Sequence, residues 1–155
     1  MKILNRAIRL ASIVILSSVF ISSNLHAENL FMARTQQSFP EAMLKLQETI
    51  LSLGYKISRV QRIDIGLTKS GFATDKYRIV FFGKQNEVAD ISKKYPHLIP
   101  YIPWKIAIFA EQQDTLLLTA NPMLFSNKDF PGADKYLRKW NRDLKKIMDD
   151  LRASE

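Results

Sequence analysis

The chain has 155 residues, with 23 Lys and Arg against 15 Asp and Glu, two histidines and no cysteine. The missing thiols exclude disulfides, thiolate metal sites and a cysteine nucleophile, so stability has to come from packing. Two histidines, one of them near the N-terminus, are too few for a zinc or copper site.

Residues 1–27 have the layout of a secretory signal peptide. Lys2, Arg6 and Arg9 precede an apolar or small run from Leu10 to Ile21, and Ser22 to Ala27 forms a polar close ending in a small residue. The apolar core is short for a bilayer span, which favours cleavage after Ala27 over a retained anchor. The expected product is one exported domain, Glu28 to Glu155, periplasmic or secreted. Loss of the three signal charges leaves a net +5 instead of +8, and His97 as its sole imidazole. That charge, with no stacking platform or recognition motif, predicts no nucleic-acid partner. His97 lies between Pro96 and Leu98 with no Gly-x-Ser-x-Gly turn in the chain, so a serine-hydrolase triad is not expected.

In chain order, Leu30–Gln36 reads as a strand. Ser38-Phe39-Pro40-Glu41 has the spacing of a capping box, and Met43, Leu46, Ile50 and Leu53 follow at helical spacing, with Leu44 and Leu51 broadening the apolar face. Gly54 stops that helix. Tyr55–Ile63 is a second strand, Asp64–Thr74 a loop, Lys76–Phe82 a third strand and Asn86–Lys94 a short helix with Val88 and Ile91 inward. Three prolines punctuate Pro96 to Pro103. Trp104–Glu111 and Thr115–Ala120 form a hairpin, and a helix from about Ala133 to Leu151 carries an apolar stripe through Leu137, Trp140, Leu144 and Met148.

Strands two and three are too close in sequence for a βαβ crossover. The fold class predicted is therefore α+β, a two-layer domain with a mostly antiparallel sheet, helices on one face and a C-terminal helix.

From Ser38 to Pro122 the chain resembles the family called domain of unknown function 302. The resemblance rests on ordered blocks: Leu53-Gly54-Tyr55, Arg62-Ile63-Asp64, Tyr77 to Gly83, Ile102 to Glu111, and Thr115 to Pro122. The chain departs from the family at Lys84-Gln85, where Asn-Pro is usual, and at Thr119-Ala120-Asn121-Pro122, where Tyr-Asn-Asp-Pro is usual. The resemblance implies a compact α+β domain and carries no established activity.

Five residues stand out as candidate ligand contacts: Asp64, Tyr101, Trp104, Lys105 and Asn121. Asp64 closes a strand, where it can orient a ligand or cap the loop. Lys105 interrupts an apolar strand, sharing a face with Ala107 and Phe109, and faces either water or a cavity. Tyr101 and Trp104 belong to a rigid Pro/aromatic stretch that suits a pocket wall, an interface or a covering loop. Asn121 ends the last strand. No metal or cofactor is expected. The leading expectation is a non-catalytic module binding a small apolar or anionic ligand. The alternative is peripheral contact with an anionic membrane or an envelope protein through the C-terminal helix, whose cations include Lys139, Arg142 and Lys146. An enzyme using Asp64 as a base comes third.

Overall fold

The computed structural model describes residues 29–126 and 132–153, so the expected signal peptide lies outside the described residues. Five strands form one antiparallel sheet in the order β1-β5-β4-β3-β2: β1 is Leu30–Thr35, β2 Lys56–Arg62, β3 Tyr77–Gly83, β4 Trp104–Glu111 and β5 Asp114–Ala120. Among the described residues four α-helices accompany them: α1 is Phe39–Ser52, α2 Ile63–Lys69, α3 Gln85–Lys94 and α4 Asp134–Arg152, which follows the last strand. The predicted α+β class holds.

Alternation along the strands makes the sheet two-faced, although Leu116 on the outward face is buried too and β2 carries a bulge between Ile57 and Arg59. Phe31, Ala33, Val80, Phe82, Ile106, Ile108 and Leu117 point inward and are buried. They meet Leu46 and Ile50 of α1 and the stripe Leu137, Trp140, Leu144, Ile147, Met148 and Leu151 of α4, all buried. Each of the large aliphatic and Phe side chains contributes about 1.5–3 kcal/mol on burial, so this layer carries the fold without disulfides. Inward threonines are hydrogen-bonded: Thr119 Oγ1 donates to the Lys105 carbonyl at 2.8 Å and Thr115 Oγ1 to the Gln37 carbonyl at 3.0 Å.

Local signals act as expected at several ends. The Glu41 carboxylate accepts from the Ser38 N–H at 3.0 Å and from its hydroxyl at 2.6 Å, fixing the start of α1. Gly54 adopts φ +75° and donates to the Leu51 carbonyl, turning the chain into β2. The β4–β5 turn places Gln112 at φ +55°, and Arg34 of β1 braces it by donating to Glu111 at 2.5 Å and Asp114 at 2.9 Å.

Two expectations fail. Leu44 and Leu51 are 59% and 55% exposed, because α1 buries a narrow stripe and these two lie seven residues apart on its far side. The segment expected as a loop from Asp64 begins with the seven-residue helix α2. Asp64 lies in its first turn, where a carboxylate suits the positive helix end, and Gly71 at φ +87° follows its close. Seven residues containing Gly66 and Thr68 are too few to show helical periodicity.

Candidate functional site

A groove of about 520 Å³ opens beside the β2–β3 edge of the sheet. Ile57 and Ser58 contribute from a bulge in β2, Gly83 from the end of β3, Val88 and Ala89 from α3, and Pro103 from the segment entering β4. The Ile102–Pro103 peptide is cis. Gly83 sets how closely these walls approach. A Cβ there would lie 3.2 Å from Val88 Cγ2 and 3.6 Å from Pro103 Cβ, tighter than the first contact normally allows. Lys56 stands at the rim. The Lys84 ammonium lies 4.6 Å from the centre of the Tyr55 ring.

Beside the groove runs a polar network joining the C-terminal end of α1, α3 and α4. Tyr55, buried and edge-on to Phe82 at 5.4 Å, donates its hydroxyl to Asp143 at 2.5 Å. Lys139 bonds Asp143 at 2.9 Å and Glu87 at 3.1 Å, and Trp140 Nε1 donates to Glu87 at 3.0 Å. A void of about 10 Å³ is lined both by Gly83, Val88 and Pro103 of the groove and by Tyr55, Glu87 and Trp140 of the network. Burial, and then the neighbouring Asp143, push the Tyr55 hydroxyl far above its usual range. Burial would raise the Asp143 carboxyl, but the Tyr55 hydroxyl and Lys139 outweigh it and hold it below the ordinary value. Lys139, which burial would discharge, is kept charged by Asp143 and Glu87. Near neutral pH the tyrosine therefore stays protonated and the aspartate ionised. Neither is poised to exchange a proton, and the network serves to clamp three elements under the groove.

Comparison with known proteins bears on the blocks that build these walls. The family model described as domain of unknown function DUF302 matches residues 31–151. The chain belongs to the DUF302 family. A solved structure, an uncharacterized conserved DUF302 protein from Bacillus stearothermophilus, matches with a TM-score of 0.73 at 16% identity, covering 81% of this chain and 99% of that one. At that identity the likeness concerns the fold. No curated protein matches.

In this DUF302 domain the five sequence-predicted contacts divide into separate places. Tyr101, Trp104 and Lys105 come together, with Phe125 and Thr119, around a cavity of about 80 Å³ at the strand ends. That holds a few waters at most. Lys105 is exposed on the outward sheet face, while the Trp104 side chain is buried, with its Nε1 lacking a hydrogen-bond partner. Asn121 is buried beside this cavity, where its Oδ1 accepts from the Met123 N–H and from Asn141 Nδ2, both at 2.9 Å, capping the short 3-10 turn Pro122–Phe125.

Asp64 is elsewhere. It is ion-paired with Arg78, which points inward opposite Ile108, whereas Lys105 points outward opposite Phe81. The Arg78 bond holds the Asp64 carboxyl below its ordinary value, which suits a structural pair better than a base. Glu111, on the outward face with Lys105, pairs with Arg34.

Sequence reasoning missed Ile57, Val88, Ala89 and the Tyr55–Asp143–Lys139–Glu87 network. The available signal was the pair of blocks Leu53-Gly54-Tyr55 and Phe82-Gly83, whose glycines stand at the two elements that meet here. Among the described residues there is no cluster of three or more His, Cys, Asp or Glu able to hold a metal ion. None of their helices is long and apolar enough to cross a membrane.

Proposed function

We propose that this DUF302 domain is a non-catalytic binding module, holding a small, mainly apolar ligand in the groove between the β2 bulge, α3 and Pro103. The observation that carries this reading is the groove itself. Its volume of about 520 Å³ falls within the range of roughly 300–1,000 Å³ typical of small-molecule sites, and its walls are the side chains of Ile57, Val88, Ala89 and Pro103. Lys56 at the rim adds a place for an anionic end of the ligand. The neighbouring Tyr55–Asp143 pair is fixed in the protonation states that suit a clamp, which favours binding over acid–base chemistry. With a signal-like N-terminus, the domain would do this work in the periplasm or outside the cell.

The alternative, contact with an anionic surface or acidic partner through α4, draws less support. Four of that helix's cations are already paired: Arg138 with Asp134, Lys139 with Glu87 and Asp143, Lys146 with Asp150, and Arg152 with Asp149.

The test is titration with 1-anilinonaphthalene-8-sulfonate, an apolar probe with one anionic group. Wild type should bind one equivalent saturably. Ala89→Trp, at an exposed position on the groove wall, should weaken binding at least about tenfold with the fold unchanged, as expected for a filled pocket. Affinity indifferent to that substitution would contradict the proposal.

A further inference from the structure

The two edges of the sheet are finished differently. Along β1, α4 packs alongside and its Arg152 guanidinium donates to the Met32 carbonyl. Along β2, the opposite edge, the backbone bonds to β3 and, among the described residues, to no other element. Every second residue of an edge strand turns its N–H and C=O away from the sheet, which makes a template for one more strand. We propose that β2 docks an extended acidic segment of a partner protein, which adds as a sixth strand and sends an apolar side chain into the groove.

The side chains of β2 specify the occupant. Ile57 and Val60 stand opposite the inward Phe82 and Val80, and both are only half-buried. Lys56, Ser58, Arg59 and Arg62 are exposed, and the strand carries no acid. Neither Lys56 nor Arg59 pairs with a carboxylate among the described residues. Arg59 faces outward opposite Phe81, and Lys105 stands on the far side of Phe81, so one outward row carries two cations about 10 Å apart. An added strand alternates in step with β2. Its inward residues meet Ile57 and Val60, and its outward residues meet Arg59, so the segment that fits alternates apolar and acidic residues.

Cations and a bulge also guard edge strands against pairing with copies of themselves. On β2 that guard is selective. Two β2 edges would set Lys56 and Arg59 against like charges, whereas an acidic strand meets opposite ones. A second copy is therefore excluded and an acidic partner admitted. The residue across from Ile57 in the added strand points to the same face as Ile57, itself a wall of the groove. Its side chain reaches the groove, where Val88, Ala89 and Pro103 give it apolar contact. In this the inference rests on the groove reading, with a peptide side chain as occupant. Main-chain bonds supply the affinity, while the groove and the cations select the sequence.

Calorimetric titration tests it, on protein purified from cells expressing the full chain, with the end-blocked peptide Glu-Val-Glu-Leu-Glu-Val-Glu. Wild type should bind one equivalent with a dissociation constant on the order of 10 µM, and the counterpart with lysine at each glutamate should not bind. Two N-methylated peptides read the main-chain bonds, one blocked at its glutamate amides and one at its valine and leucine amides. Only one of these sets faces β2, so one peptide should lose binding and the other keep it. Arg59→Glu should weaken peptide binding at least about tenfold with unchanged circular dichroism, and leave the affinity for the anilinonaphthalene probe within about threefold. Ala89→Trp should weaken both. No peptide binding at about 1 mM would overturn the inference. So would equal effects of the two methylated peptides, indifference to Arg59→Glu, or binding to phosphatidylglycerol vesicles in place of the peptide. Probe binding without peptide binding leaves the groove reading standing, whereas probe affinity indifferent to Ala89→Trp strikes that reading, so the two failures are distinguishable.

Discussion

The Tyr55 hydroxyl donates to Asp143 across 2.5 Å, tying together residues 88 apart in sequence. This bond anchors the end of α1 to α4 and, through Lys139 and Glu87, to the first turn of α3. The groove's α3 wall is thus held by a charged network as well as by packing.

The pair makes stability depend on pH at both extremes. The Asp143 carboxyl lies below its ordinary value when folded. Its contribution is therefore present above the unfolded value of about 4 and is lost as pH falls through the lower folded value. Tyr55 is raised, so its contribution is present below the unfolded value of about 10 and lost as pH rises toward the folded one. Tyr55→Phe should cost about 1 kcal/mol at pH 7 and flatten the alkaline limb, and Asp143→Asn should flatten the acid limb. Thermal melts from pH 3 to pH 11 check both; unaltered limbs would contradict the assignment.

Gly83 controls the width of the groove. Gly83→Ala puts a methyl group 3.2 Å from Val88 Cγ2, so α3 has to give way by a few tenths of an ångström. The expected cost is about 1–2 kcal/mol, with weaker binding of the apolar probe. Denaturant unfolding and probe titration should move together. Full stability with altered binding would mean that Gly83 shapes the site without setting the packing of α3.

Two other glycines should respond with opposite signs. Gly54 has φ +75°, and Gly54→Ala should cost about 1–2 kcal/mol from backbone strain, because the nearest atom to the new methyl, Lys84 Nζ, is at an ordinary 3.5 Å. Gly66 lies inside α2 with nothing near a would-be Cβ. Gly66→Ala should stabilise the helix by up to about 1 kcal/mol, and destabilisation there would contradict the helical assignment of α2. Melting temperatures of the two variants decide it.

The contrast between these glycines shows what the sequence makes legible. Gly54 follows a capped, periodic fourteen-residue helix, so its role as a stop is readable without coordinates. The α4 stripe is equally plain, since Leu137, Trp140, Leu144, Met148 and Leu151 recur at helical spacing and are all buried. Gly66 sits in a seven-residue helix too short to display a period.

Site residues were harder to read. Tyr101, Trp104 and Lys105 are neighbours in the chain and line one cavity, but that cavity is small. The larger groove is assembled from β2, β3, α3 and Pro103 through one close approach at Gly83. Such convergence depends on tertiary packing, which neither composition nor spacing records. Asp64 shows the reverse case. Its strand-end position suggested chemistry, and its partner Arg78, fourteen residues later, accounts for it as an ion pair.

The central claim is that the groove is a ligand site. Native mass spectrometry of the protein purified without denaturation from its own host, beside Ala89→Trp prepared identically, tests it most directly. The groove reading predicts a small-molecule adduct on wild type that is absent from Ala89→Trp. An adduct retained equally by both, or none on either, would contradict it.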